Sequence, residues 1–148
     1  MKFICAQPAI DYYSWQVEVM INNFIKNGVN PNDIHIVSAH NGQIPETWSK
    51  LAEKYNHVCF FFYRDNRPMK GYIPSIRPHI LQQHWEKYPE LSNEVIFYHD
   101  SDIILAKPCE LEKLAVGDEC YVADTVSYIG ANYIRSKGEK YLDKTSTG

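Results

Sequence analysis

Residues 94–105 read Glu-Val-Ile-Phe-Tyr-His-Asp-Ser-Asp-Ile-Ile-Leu, an apolar run broken by two carboxylates one residue apart, Asp100 and Asp102. A continuous series of β-branched and aromatic residues suits a central strand covered on both faces, as in α/β proteins whose sheets are mostly parallel. Ligands of such sheets gather at the carboxyl ends of the strands. Two acidic groups placed there repel each other unless a divalent cation, a hydrogen-bond network or a shared proton compensates the charge. The segment Asp100-Ser101-Asp102 is therefore the leading candidate site.

The chain upstream supplies partners for that strand. Residues 2–6 (Lys-Phe-Ile-Cys-Ala) and 34–37 (Ile-His-Ile-Val) read as short strands. Between them Tyr13, Val17, Met20, Ile21 and Phe24 recur at helical spacing, with capping side chains offered at 11–14 and a stop at Gly28. A β-α-β unit results, and such units cross over right-handed between parallel strands. Residues 38–44 read as a loop, 45–55 as a helix with Pro45 in its first turn, and 58–63 (Val-Cys-Phe-Phe-Phe-Tyr) as a third strand running into Arg64-Asp65-Asn66-Arg67.

Pro68, Pro74, Pro78 and Gly71 break the next stretch into a loop or lid, with a helix expected from Pro78 to about residue 88. Arg77 is expected just before its first turn, where a guanidinium beside helix amides suits a phosphate; a solvated surface arginine is the ordinary alternative. Further on, the pattern predicts a helical turn over 110–114, a turn at Gly117-Asp118 and short strands at 120–123 and 132–135. One α/β domain is expected over 1–143, with a frayed tail at 144–148.

Composition narrows the function classes. At 148 residues and 45% hydrophobic the chain can bury one sizeable core, and its formal charge of -3 comes without any Lys/Arg run, which discounts nucleic acid and anionic membranes as partners. No apolar stretch reaches the length of a membrane span and residues 1–6 are too short for a signal-peptide core, so the chain reads as cytoplasmic. Cys5, Cys59, Cys109 and Cys120 are scattered, with no CxxC pair, and read as reduced, mostly buried thiols.

A hydrophobic strand ending in Asp-x-Asp after two shorter strand-helix units, with Asp65 closing the strand before it, resembles the nucleotide-sugar glycosyltransferases of the GT-A fold. A looser similarity, through residues 12–16 (Tyr-Tyr-Ser-Trp-Gln), is to the hydroxyproline O-arabinosyltransferase and peptidyl-serine galactosyltransferase type. The resemblance implies a Rossmann-like GT-A nucleotide-diphospho-sugar transferase fold and a metal-dependent transfer of a sugar to an unknown acceptor. It implies Mn²⁺ or Mg²⁺ as cofactor, held by Asp100 and Asp102, and a nucleotide-diphosphate sugar, a UDP-sugar favoured, as donor. Asp102 resembles the direct metal ligand and Asp100 the carboxylate shared between ribose and metal. Ser101 would contact the donor, the end of the first strand at Gln7 would lie with Asp65 near base and ribose, and Arg77 would approach the diphosphate.

Such enzymes usually carry a further half that supplies the acceptor pocket, so a homo-oligomer or a missing partner segment is the expected completion; Asp124 is a candidate acceptor-side carboxylate or, more ordinarily, a turn residue. His99 is either a site residue or hydrogen-bonded structure. Tyr12, Tyr13 and Trp15 follow the first strand, where a base or a sugar could stack. Two other readings stay open. One is a phosphatase of the haloacid dehalogenase type, which also uses Asp-x-Asp after an apolar strand but normally at the start of its fold. The other is a non-catalytic GT-A-like interaction module, for which eleven Tyr and three Trp offer material.

Overall fold

Four strands, β1 (Lys2–Pro8), β2 (Ile34–His40), β3 (Cys59–Arg64) and β4 (Ile96–His99), pair in the order β3-β2-β1-β4, every pair parallel. The computed structural model describes residues 1–108, 110–115, 117, 120–122, 130–132, 135 and 136, and the chain divides into two compact units, Met1–Leu114 and Ala115–Gly148. Parallel neighbours need crossover connections, supplied by helices α1 (Asp11–Lys26), α2 (Glu46–Lys54) and α3 (Ile76–Lys87). The first unit is thus an α/β structure whose parallel sheet is flanked by helices, with a strand order compatible with a Rossmann-like fold. Among the described residues no helix is long and apolar enough to cross a membrane.

Strand alternation sorts the side chains onto two faces. On one, Phe3, Cys5, Ile34 and Ile36 meet Val17, Met20, Ile21 and Phe24 of α1 and Trp48 and Leu51 of α2. On the other, Ile4, Ala6, Val37, Ala39 and Tyr63 meet Ile76 and Ile80 of α3. Burying each large aliphatic or aromatic side chain in these layers contributes about 2 kcal/mol. Helix α1 stops where its sequence predicts: Gly28 takes φ 89°, the Gly28 amide bonds the Ile25 carbonyl, and the Val29 amide reaches back to Phe24. That paired closure is the Schellman arrangement, which needs a left-handed residue that glycine adopts without steric cost.

Several expectations are corrected. The stretch 94–105 is not a long central strand: β4 has four residues, lies at an edge of the sheet among the described residues, and buries only His99 fully. The apolar residues after it, Ile103 and Leu105, pack against the α1 core instead of extending the strand. The side chains of 11–14 do not cap α1, since Ile10 is its N-cap without a side-chain bond and Ser14 Oγ donates to the Asp11 carbonyl. Arg77 lies inside the first turn of α3, not before it. Pro78 is tolerated there because the amides of a first turn have no helical partner to lose.

β1 and β2 run further than predicted, to Pro8 and His40. Leu111–Leu114 forms the expected helical turn, a 3-10 turn. Residues 120–122 have no regular structure, and 132 and 135, expected in a strand, are helical. Cys5 is buried but Cys59 is half-buried and Cys120 exposed, all three as free thiols. Cys109, Asp118, Asp124 and the tail lie outside the described residues.

A polar chain runs through the second face. Burial pushes the Tyr63 phenol up to about 12, so it keeps its proton and donates to His84 Nδ1 at 2.7 Å. His84 Nε2–H is then free to donate to His35 Nδ1 at 3.3 Å, an arrangement that pairs both nitrogens of His84 if both rings are neutral. Burial, with the neighbouring Lys2 for His35 and with His35 and Lys87 for His84, lowers both imidazoles from 6.5 to about 4. Unfolded rings bind protons near 6.5 and folded ones only near 4, so their contribution to stability is complete above that window and is lost as pH falls through it. Urea midpoints are expected to drop between those two pH values, and His84→Leu should flatten that slope; an unchanged slope would refute the neutral relay. Tyr63→Phe should cost about 1 kcal/mol.

Candidate functional site

The chain moves outward from β1 to β2 and β3 on one side, then returns through α3 to place β4 on the other side of β1. A crevice opens at such a reversal, outside the carboxyl ends of the two strands that part there. Gln7 ends β1 and Asp100 follows β4, in a register that sets Cys5 opposite His99. Arg77, from the first turn of α3, spans the gap: its Nε and Nη2 donate to Gln7 Oε1 at 3.3 and 3.2 Å, and its Nη1 lies 3.3 Å from Asp100 Oδ1. Gln7, Arg77 and Asp100 are thus brought together from three separate parts of the sequence.

The ion pair is open to water, with 28% of the Arg77 and 50% of the Asp100 side chain exposed, so it is weak and easily exchanged for a ligand. Asp102 is exposed as well. Ser101 is different. It is buried, and its hydroxyl donates to Gln16 Oε1 of α1 at 2.7 Å, so its part is to fix the turn and not to meet a ligand. His99 is buried against Phe24 and Phe97; its Nδ1–H donates to the Asp100 carbonyl at 2.9 Å, and burial lowers its imidazole below the ordinary value. It is a structural support for the Asp100 backbone.

Asp65 does not join the cluster. It follows β3, at the far edge of the sheet and about 14 Å, three strand spacings, from β4. Arg67 clamps both its oxygens, Nε to Oδ1 at 2.9 Å and Nη2 to Oδ2 at 3.0 Å, and this holds its carboxyl at about 2. The same guanidinium donates to Ser75 Oγ at 2.6 Å and to the Tyr72 carbonyl at 3.1 Å, tying down the loop that leads to α3. Asp65 is occupied in positioning that loop.

A cleft of about 410 Å³ lies one strand over, between Pro8 and Ile10 at the end of β1, His40, Asn41 and Gly42 at the end of β2, and Ile76 beside Arg77. Its surroundings contain polar atoms with no protein partner. Ser38 Oγ and His40 Nδ1 are both buried and unpaired toward the carboxyl end of β2. Buried polar groups normally find partners, and a concentration of unpaired ones beside a cleft is what a polar ligand would satisfy.

Among the described residues no three His, Cys, Asp or Glu side chains converge as a cation cage. Asp100 and Asp102, one residue apart and both exposed, offer two carboxylates, as many as a cation of the Mn²⁺ or Mg²⁺ kind takes alongside water and phosphate oxygens.

Three supports were not legible as site residues in the sequence. Gln16 holds Ser101, Asn23 brackets Leu105 through both its backbone groups, and Arg67 immobilises Asp65. The first two carried a signal: Gln16 and Asn23 lie alongside the apolar positions Met20 and Phe24 on the inward side of α1, where a polar residue needs a partner.

Removing Arg67 leaves a buried carboxylate with only the half-exposed Lys70 Nζ, 3.9 Å from its Oδ2, as a neighbouring cation. Arg67→Ala is expected to lower stability by about 3 kcal/mol. Stability contributed by Asp65 is present above the ordinary carboxylate value near 3.8 and is lost as pH falls toward 2; in the variant this acid dependence should move to higher pH. Urea titrations of both proteins across that range measure it.

Compared with protein-family models, curated proteins and solved structures, the chain shows no significant match to any of the three, and the chemistry of this edge of the sheet is read from its own geometry.

Proposed function

We propose that the crevice binds a nucleotide-diphosphate sugar with a divalent cation and transfers the sugar to an acceptor hydroxyl, in the manner of a GT-A glycosyltransferase. The observation that carries this reading is Arg77, a guanidinium delivered by the first turn of α3 to a point between Gln7 and Asp100. Guanidinium forks suit phosphate oxygens, and the amides of a helix start add to the attraction. The cleft of about 410 Å³ has the size for a nucleoside, and His40, whose Nδ1 is unpaired, lines it.

Charge supplies the argument for a cation. Asp100 and Asp102 together outweigh Arg77, so a diphosphate approaching them alone would meet repulsion. A divalent ion held by Asp100 and Asp102 would remove that repulsion and neutralise charge developing on the leaving diphosphate. Arg77, released from Asp100, would then turn to the phosphates. In the transfer, the acceptor oxygen bonds to the anomeric carbon while the bond from that carbon to the diphosphate breaks. The electron pair leaves on the nucleoside diphosphate and the hydroxyl proton passes to water. A cytoplasmic setting is part of the reading.

Isothermal titration with UDP and GDP, each with and without Mn²⁺, tests it. Binding is expected only with the metal, and Asp102→Asn and Arg77→Ala should each weaken it at least tenfold, about 1.4 kcal/mol. Metal-independent binding, no binding of either nucleotide, or affinity unchanged in both variants would sink the proposal. Release of inorganic phosphate from a simple phosphomonoester with Mg²⁺ would favour the phosphatase reading instead.

A further inference from the structure

On the flank of α1, away from its buried side, Tyr12, Trp15 and Val19 form a stripe at positions i, i+3 and i+7. All three are exposed, Trp15 by 57%. Beside them runs the segment that carries Asp102, with Ile104 63% exposed. Trp15, Val19, Gln16, Ser101, Asp102 and Ile104 line one groove of about 120 Å³. The groove contains none of Gln7, Arg77 and Asp100, and Asp102 is the residue it has in common with the cation site proposed above.

The groove is held open by polar lacing. Ser101 Oγ donates to Gln16 Oε1 at 2.7 Å, the Leu105 amide donates to Asn23 Oδ1 at 2.7 Å, and the Leu105 carbonyl accepts from Asn23 Nδ2 at 3.0 Å and Asn27 Nδ2 at 3.3 Å. Residues 101–105 are therefore tied to α1 at both ends, which sets Asp102 and Ile104 against Trp15 without needing a ligand to order them. Preorganisation of this kind reduces what binding must otherwise spend on ordering. An exposed indole costs free energy to leave in water, and apolar surface rimmed by polar groups on a rigid frame marks a binding site.

We infer that this groove is a saccharide subsite, in which the apolar C–H face of a sugar ring lies on Trp15, flanked by Val19 and Ile104, and its hydroxyls donate to Asp102. Three properties select that occupant. The lining offers an aromatic face, with the polar tip of the indole left in water. Its one charged side chain accepts hydrogen bonds and donates none, which suits hydroxyls and rejects anions. Its volume admits about one ring. A carboxylate has two oxygens and about four lone pairs, so Asp102 can hold a cation on one side and a hydroxyl on the other. Calling the bound ring the acceptor rests on the transfer reading above; its binding to Trp15 does not.

The test is a titration of the ¹⁵N-labelled full chain with a panel of mono- and disaccharides, following the indole N–H signals of its three Trp, of which Trp48 is buried. The expected result is a saturable shift of the Trp15 signal with at least one saccharide. Trp15→Ala should weaken that binding at least tenfold and Trp15→Phe less, while both keep the affinity of the wild type for UDP with Mn²⁺. No saccharide shifting the Trp15 signal would overturn the inference. So would equal affinity in Trp15→Ala, a proline-rich peptide binding in preference to every sugar, or a dimer on gel filtration that Trp15→Ala dissolves. Nucleotide failing to bind the wild type, with the Trp15-dependent saccharide shift intact, would remove the transfer reading and the acceptor role but leave the saccharide site.

Discussion

Parallel pairing of β1 with both β2 and β4 is the constraint on which the rest of the first unit depends. Parallel strands cannot be joined by tight turns, so each connection has to travel back along a face of the sheet as a helix. Two helices go to one face while the chain moves outward, and α3 takes the opposite face as the chain returns past β1. Both apolar layers follow from that route, and so does the reversal of winding beside β1, outside whose carboxyl end ligands of open α/β sheets bind. Gln7 and Asp100 meet Arg77 there for a topological reason, not because of any nearness in sequence.

Polar side chains then decide which parts of that edge stay rigid. Gln16, Asn23 and Asn27, on the α1 side facing residues 101–105, hold the segment after β4 along the helix. Arg67 does the equivalent for the loop after β3 by satisfying Asp65, Ser75 and the Tyr72 carbonyl at once. Thr47 and Trp48 of α2 donate to Asp11 and to the Ile10 carbonyl, fixing the entry of α1 beside the cleft. Apart from the exposed Thr47–Asp11 and Arg67–Tyr72 bonds, these are buried or half-buried, where a lost partner costs more than the bond contributes in water. By contrast the Arg77–Asp100 pair is solvent-exposed and exchangeable. Rigid supports around an exchangeable pair are what a ligand site requires, since a ligand has to displace something without dismantling its frame.

The arrangement also separates two kinds of carboxylate that look alike in the sequence. Asp65 and Asp100 each follow an apolar strand, yet one is clamped by a buried guanidinium and the other faces water beside an accessible one. Only the second can change partners at neutral pH. Ser101 illustrates the same point from the other direction, as a polar residue between two acids that turns inward to a helix.

Hydrophobic pattern was enough to identify α1 and all four strands of the first unit, because burial of one helical stripe or of both strand faces leaves a direct mark on residue order, while Pro45 and Pro78 marked α2 and α3 near their starts. It also placed Asp100 and Asp102 at a strand end. It misjudged β4, since an apolar run is the same whether it continues a strand or leaves it to pack against a helix, as Ile103 and Leu105 do. What only the tertiary structure decided is which charges meet: the pairing of Arg77 with Gln7 and Asp100, the capture of Asp65 by Arg67, and the alignment of Trp15 with Asp102 along one groove. Those contacts join residues up to 87 positions apart, as between 15 and 102. Local pattern is set by neighbours along the chain, whereas such meetings depend on strand order and on the side of β1 to which the chain returns.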